Sequence, residues 1–226
     1  MNTQTKPSTK SIRVWDWPVR LFHWLVVVLF SISWISAKMG GNAMQYHLLS
    51  GYAVLGLVLF RVLWGVVGSE TARFAHFMRG PGAVLAYART WFKLGYCATP
   101  GHNPLGGWSV AALLLLLAFQ ALTGLFSNDD IANEGPLTHL VSKGTSDLIS
   151  QAHGIAFYVL LALVTLHLLA IILYRVQHGE NLLKPMLTGD KVVNENEFEP
   201  KQSSAWLALV LALIVAGVVY GLVTRL

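Results

Sequence analysis

The sequence predicts an all-α integral membrane protein of five transmembrane helices. Three observations predict this. Apolar residues fill 54% of the 226 positions and charged ones only 12%, whereas a soluble domain carries about a quarter charged residues. Runs without Asp, Glu, Lys or Arg cover residues 21–37, 39–60, 94–128, 148–174 and 202–224, and roughly 20 mainly apolar residues cross a hydrocarbon core. The basic residues between these runs alternate in abundance with every crossing.

The chain begins with a polar segment, residues 1–11, whose composition predicts disorder. The first span is the shortest run and becomes adequate when Arg20 and Lys38 snorkel to the two interfaces. A basic start before an apolar run also describes a signal peptide. This run ends in Trp34-Ile35-Ser36-Ala37 without a small-x-small cleavage pattern and carries His23, which predicts a retained helix. Between spans two and three, Gly80-Pro81-Gly82 breaks the chain before an amphipathic surface helix over residues 83–96, with Arg89 and Lys93 four apart. Gly101-His102-Asn103-Pro104 ends that segment, and Gly106-Gly107 opens span three. Residues 191–203 read as a polar linker to the last span, 204–226.

Orientation follows from charge. Lys6, Lys10, Arg13 and Arg20 precede span one, Arg73, Arg79, Arg89 and Lys93 lie between spans two and three, and Arg175, Lys184, Lys191 and Lys201 lie between spans four and five. The first loop has only Lys38, and the loop before span four has Lys143 among Asp129, Asp130, Glu134 and Asp147. The basic side is cytoplasmic, which predicts a cytoplasmic N-terminus and, with five spans, an outer C-terminus. The net charge of +5 is accounted for by these flanks, so nucleic-acid binding is not expected. A single cysteine, Cys97, excludes an internal disulfide or a thiolate cluster.

The eight histidines carry the functional information. His23 lies near the cytoplasmic start of span one, His47 near the outer start of span two, and His153 and His167 both lie in span four. His76, His102, His139 and His178 fall in loops or at interfaces. A single intramembrane histidine is ordinarily a helix-to-helix hydrogen bond; four at two depths point to a site. His153 and His167 are fourteen residues apart, so they lie roughly 21 Å apart along the axis and within about 40° of one face. His47 matches the depth of His153, and His23 that of His167. Paired imidazoles from facing helices ligate a planar cofactor iron from both sides. No Cys-x-x-Cys-His occurs, so covalent attachment is excluded and two b-type haems remain, paired as His23/His167 and His47/His153. Arg61, fourteen after His47, lies near the inner pair and could meet a haem propionate or snorkel to the interface. The spacing alone leaves both open.

Arg13-Val14-Trp15-Asp16, Arg20-Leu21-Phe22-His23-Trp24, His47-Leu48-Leu49-Ser50-Gly51-Tyr52 and Leu59-Phe60-Arg61-Val62-Leu63-Trp64-Gly65 resemble the bacterial cytochrome b561 family. Arg79-Gly80-Pro81, Gly101-His102-Asn103-Pro104-Leu105-Gly106-Gly107 and the span-four histidines continue the resemblance, over residues 12–190. It implies a four-helix haem-binding bundle, a dihaem transmembrane domain in the bacterial inner membrane related to the b-type subunit of nickel-iron hydrogenases, with the fifth transmembrane helix as an addition to it. Its matching ligands are His23, His47, His153 and His167. It implies electron exchange between a membrane quinone (ubiquinone or menaquinone) and a redox partner such as a periplasmic c-type cytochrome or a hydrogenase-like subunit. That is an electron-transfer subunit of oxidoreductase type. A self-contained superoxide-quinone oxidoreductase is the alternative within the family. A histidine-lined metal transporter is the alternative outside it.

Overall fold

The computed structural model describes residues 9–90 and 99–225. Five of its helices are long and apolar enough to cross a membrane. In chain order the elements are β1 (Thr9–Arg13), α1 (Trp17–Met39), α2 (Met44–Val67), α3 (Phe74–Phe77), α4 (Pro81–Thr90), α5 (Pro104–Gly124), α6 (Lys143–His178), α7 (Leu183–Thr188), β2 (Asp190–Asn194) and α8 (Ala205–Arg225). The spans are α1, α2, α5, α6 and α8.

Each span starts and stops for local reasons. Asp16 caps α1, its carboxylate accepting from Val19 N at 2.9 Å, and Pro18 sits in the first turn where its missing N–H is harmless. Gly40, at φ 64°, ends α1. Asn103 caps α5 through Gly106 N at 2.7 Å, with Pro104 at the first helical position. Ser142 caps α6, and Gly179, in the left-handed region, closes it. At 36 residues, α6 is about 54 Å long and overhangs a hydrocarbon core of about 30 Å at both ends.

The first four spans pack in sequence, α1 on α2, α2 on α5 and α5 on α6. The ring of helices closes where Phe30 and Trp34 of α1 meet Phe157 of α6, at 6.2 and 5.9 Å between ring centroids. Outside this bundle α8 lies against α2, burying Ala208, Val215 and Val219.

The two ends of the bundle differ. At one end, β1 and β2 pair antiparallel with Arg13 opposite Asp190, and their side chains form an ion pair at 2.9 Å. The N–H groups of Val14 and Trp15 both donate to Gly189 O. Gly189 has φ 91°, and a Cβ there would lie 2.8 Å from Trp15 O, so only glycine fits. Ile12, Val14, Trp15, Val19, Phe60, Trp64 and Ala72 make a core beneath this sheet. Trp64 Nε1 donates to Asp16 Oδ2 at 2.8 Å within it.

The two polar segments are more ordered than their composition predicts. Residues 9–11, assigned by composition to a disordered N-terminus, belong to β1. The stretch after residue 190 is not a loose linker. Residues 190–194 form β2, and beyond it Glu70 and Lys201 exchange hydrogen bonds while Ser203 N donates to Ser69 Oγ at 2.8 Å. Polar composition hid both, because the partners lie far away in the chain. The surface helix is α4; Trp91, Phe92, Lys93 and Tyr96 of that expectation, like Cys97 and Lys6, lie outside the described residues.

Asp16→Ala removes a helix cap and strands a buried indole donor. Thermal or denaturant unfolding of the detergent-purified protein should show a loss of roughly 1–3 kcal/mol. Asp190→Ala, which breaks the exposed Arg13 pair, should shift the midpoint much less.

Candidate functional site

At the end away from the sheet, His47 of α2 faces His153 of α6 with ring centroids 6.1 Å apart and planes at 82°. The His47 Nδ1 lies 2.9 Å from Ser33 O, which can only accept. That carbonyl fixes the proton on Nδ1 and leaves the Nε2 lone pair available, the arrangement a metal-ligating imidazole needs. His153 is held by two side chains instead. Its Nδ1 lies 3.0 Å from Thr123 Oγ1 and its Nε2 3.0 Å from the Gln120 amide nitrogen. Gln120 therefore caps the nitrogen that a metal would take.

A cavity of about 360 Å³ opens between these helices, bounded by both histidines, Phe30 and three glycines. A Cβ on Gly124 would come within 3.2 Å of His153 Cε1, so this glycine gives the imidazole its seat. Gly51 and Gly154 face open space. The residues fit a haem iron. Two metal–imidazole bonds of about 2 Å each, with the half-width of each ring, come to roughly 6 Å between centroids.

Toward the sheet end, His23 packs edge-on against Trp24 at 5.0 Å, and its Nδ1 is buried without a hydrogen bond. His167 lies within electrostatic range of it. Arg61 is only 2% exposed, so the structure excludes the snorkelling alternative. Its Nη2 donates to Ala72 O at 3.1 Å and its guanidinium lies over the Phe74 ring at 5.3 Å. Its Nη1 is buried with no acceptor. The Asp16 carboxylate lies within electrostatic range of this buried cation, and Nη1 keeps a donor free for a further acceptor.

One residue read as a loop histidine belongs to this region. The His102 ring packs between Trp15 at 4.5 Å and Phe77 at 4.7 Å, and its Nδ1 is shielded and unpartnered. Burial pushes this imidazole down to about 3, and the nearby Arg61 and His167 add to the effect. No sequence signal marked this burial, nor the roles of Ser33, Gln120 and Thr123 around the outer pair. His139 is exposed, His76 is half-buried on α3, and His178 packs near Tyr174 at 5.9 Å. None of these three has a ring contact with the paired histidines among the described residues. There, no three His, Cys, Asp or Glu side chains converge as a metal cage.

The family model for prokaryotic cytochrome b561 matches residues 14–189. The chain belongs to the prokaryotic cytochrome b561 family. No curated protein and no solved structure matches it. As a cytochrome b561 it is a multi-pass bacterial membrane protein, a b-type cytochrome that works in electron transfer. The match takes in all four histidines, Arg61 and His102. It stops before β2, so α8 is an addition to the cytochrome b561 unit.

Because the native His102 value lies below the ordinary histidine value of about 6.5, the unfolded chain binds a proton between pH 3 and 6.5 that the native protein does not. The stability this contributes is complete above about pH 6.5 and is lost as pH falls toward 3. Unfolding midpoints measured from about pH 7 to pH 5 should fall less steeply for His102→Phe than for the wild type. Equal slopes would place the acid sensitivity elsewhere.

Proposed function

We propose that this cytochrome b561 holds two haem b groups, one between His47 and His153 and one between His23 and His167, and passes electrons across the inner membrane between a quinone and a redox protein. The observation that carries the reading is the facing His47 and His153 rings at 6.1 Å, with His167 a further fourteen residues along the same face of α6. A haem iron held between two such imidazoles would supply one-electron transfer.

The chain's own groups have separable tasks. Ser33 O and Thr123 Oγ1 orient the outer imidazoles through Nδ1. Arg61 holds a cationic N–H ready for a carboxylate in the apolar interior. Gly124 clears the space His153 occupies.

Charge supports an orientation with the sheet end in the cytoplasm. That end carries Arg13, Arg20, Arg73, Arg79, Arg89, Lys184, Lys191 and Lys201, against Lys38, Lys143 and Arg225 at the other. The outer loop then offers a docking face for a periplasmic c-type cytochrome or a hydrogenase-like subunit. Its acids are not equivalent. Asp129 accepts from Ile131 N, Ala132 N and Asn133 N, and from the Asn133 side chain. The Asn133 hydrogen bonds lead in holding its carboxyl well below the usual carboxylate range, so it builds the loop. Asp130 and Asp147 share Lys143. Asp129 stays ionised and adds its charge to the docking face beside Glu134, whereas Asp130 and Asp147 are partly offset by Lys143.

A pyridine haemochrome assay with reduced spectra on the purified chain tests the ligand scheme. Wild type should carry two b-haems per chain, and His153→Ala and His167→Ala should each remove or perturb a different one. Folded protein without haem, or the same spectral loss from both substitutions, would overturn the pairing. For docking, Asp130→Asn, Glu134→Gln and Asp147→Asn together should flatten the ionic-strength dependence of electron transfer to a basic cytochrome. An unchanged dependence would remove this loop from the interface.

A further inference from the structure

A second cavity lies outside the histidine sites. Between α1 and α8, with α2 as its floor, runs a groove of about 750 Å³. It exists because α8 packs chiefly on α2: Gly56 lets Val215 and Val219 approach, each 3.8 Å from where its Cβ would be. Ala53 on α2 and Ala208 and Ala212 on α8 are too small to fill the gap left toward Leu25 of α1. From Ala208 to Thr224 the groove follows α8 over seventeen residues, roughly 24 Å from first to last. One leaflet of a core about 30 Å thick is about 15 Å deep.

We propose that this groove is a built-in site for a phospholipid acyl chain, which fills the seam between the cytochrome b561 bundle and its fifth helix. Four observations favour a hydrocarbon chain. The groove lies at the depth of the spans, where water is not available to fill it. An empty apolar void would forfeit dispersion contacts along its whole wall. The wall is carbon along its middle, apart from the Tyr52 hydroxyl, and its other polar side-chain atoms sit at the ends, on Trp17 at one and on Tyr220 and Thr224 at the other. That is the profile of an acyl chain and not of a quinone ring, whose carbonyls call for several donors. The groove is also longer than one leaflet, so a complete chain fits lengthwise.

The site also bears on the outer histidines. Tyr52 lines both this groove and the cavity between His47 and His153. A chain seated in the groove therefore backs a wall of that cavity. The inference stands whether or not two haems are bound.

The test uses the full chain in vesicles containing a phospholipid with a photoreactive diazirine in its acyl chain. Crosslinked peptides should concentrate on those carrying Leu25 and Ala212, above the level on the lipid-facing part of α6 around Leu169. Ala53→Phe with Ala212→Phe should bring groove labelling down to that α6 level. Leu169→Phe should leave the groove labelling unchanged. Far-UV circular dichroism and haem content report whether the variants fold, and if they do not, the wild-type map and a competition experiment decide. Even labelling of all lipid-facing helices would reduce the site to annular lipid only. Displacement of the label by a long-chain quinone, but not by unlabelled phospholipid, would assign the groove to a prenyl tail and overturn the proposal.

Discussion

The buried carboxylate of Asp16 sets the register on which the other features rest. One oxygen caps α1 through Val19 N and the other accepts from Trp64 Nε1 at the far end of α2. Both partners lie in the apolar core under the sheet, where an unmade hydrogen bond is expensive. The start of α1 is therefore fixed in height against the end of α2. His23 follows Asp16 by seven residues, two turns along the same face, and Arg61 precedes Trp64 by three. The inner site takes its depth from this contact. The same register places Ser33 O beside His47 fourteen residues along the chain from it, so the outer site inherits it too.

Within this frame the polar atoms divide into two groups. Hydroxyls on the spans mostly satisfy themselves by bonding back along their own helix, as Ser31, Ser36, Ser50, Thr123 and Thr165 do. Buried side-chain atoms without a hydrogen bond include His23 Nδ1, Arg61 Nη1, His102 Nδ1 and Gln120 Oε1. These four belong to a paired histidine or lie close to one; Arg20 Nε, on a side chain that reaches Leu187 O, is another such atom. In a medium without water such atoms are strongly selected against, so their concentration at the two histidine levels supports a bound polar group there.

What the sequence revealed and concealed follows from the range of the interactions. The five spans were legible because a charge-free run of sufficient length is a local property, and the shared face of His153 and His167 because helix geometry converts a spacing of fourteen into depth and angle. The burial of His102 was not legible. Its ring is covered by Trp15 and Phe77, brought to it by separate elements, and a Gly-His-Asn-Pro stretch looks like any exposed turn. The β1–β2 pairing joins segments some 180 residues apart in sequence whose composition is polar. Asp129 was grouped with its acidic neighbours because charge is visible in sequence, whereas hydrogen bonds that commit a carboxylate to its own loop are not.

The centre of the bundle is as specific as its two sites. The midpoint between His153 and His167 is Leu160, and the midpoint between His47 and Arg61 is Val54. Both are buried and pack with Val58 and Leu117 in one apolar cluster. That cluster contains no titratable group, and Leu160 is 1% exposed. In the two-haem reading, each centre lies about 10 Å to one side of it along α6. A continuous water or hydrogen-bond chain would be needed to carry protons through the same interval, and close-packed Val and Leu side chains offer none. Electron transfer needs no such chain. The apolar septum would thus let charge cross as electrons while the two aqueous sides stay separate for protons, a division that follows from two aliphatic positions set midway between the site residues.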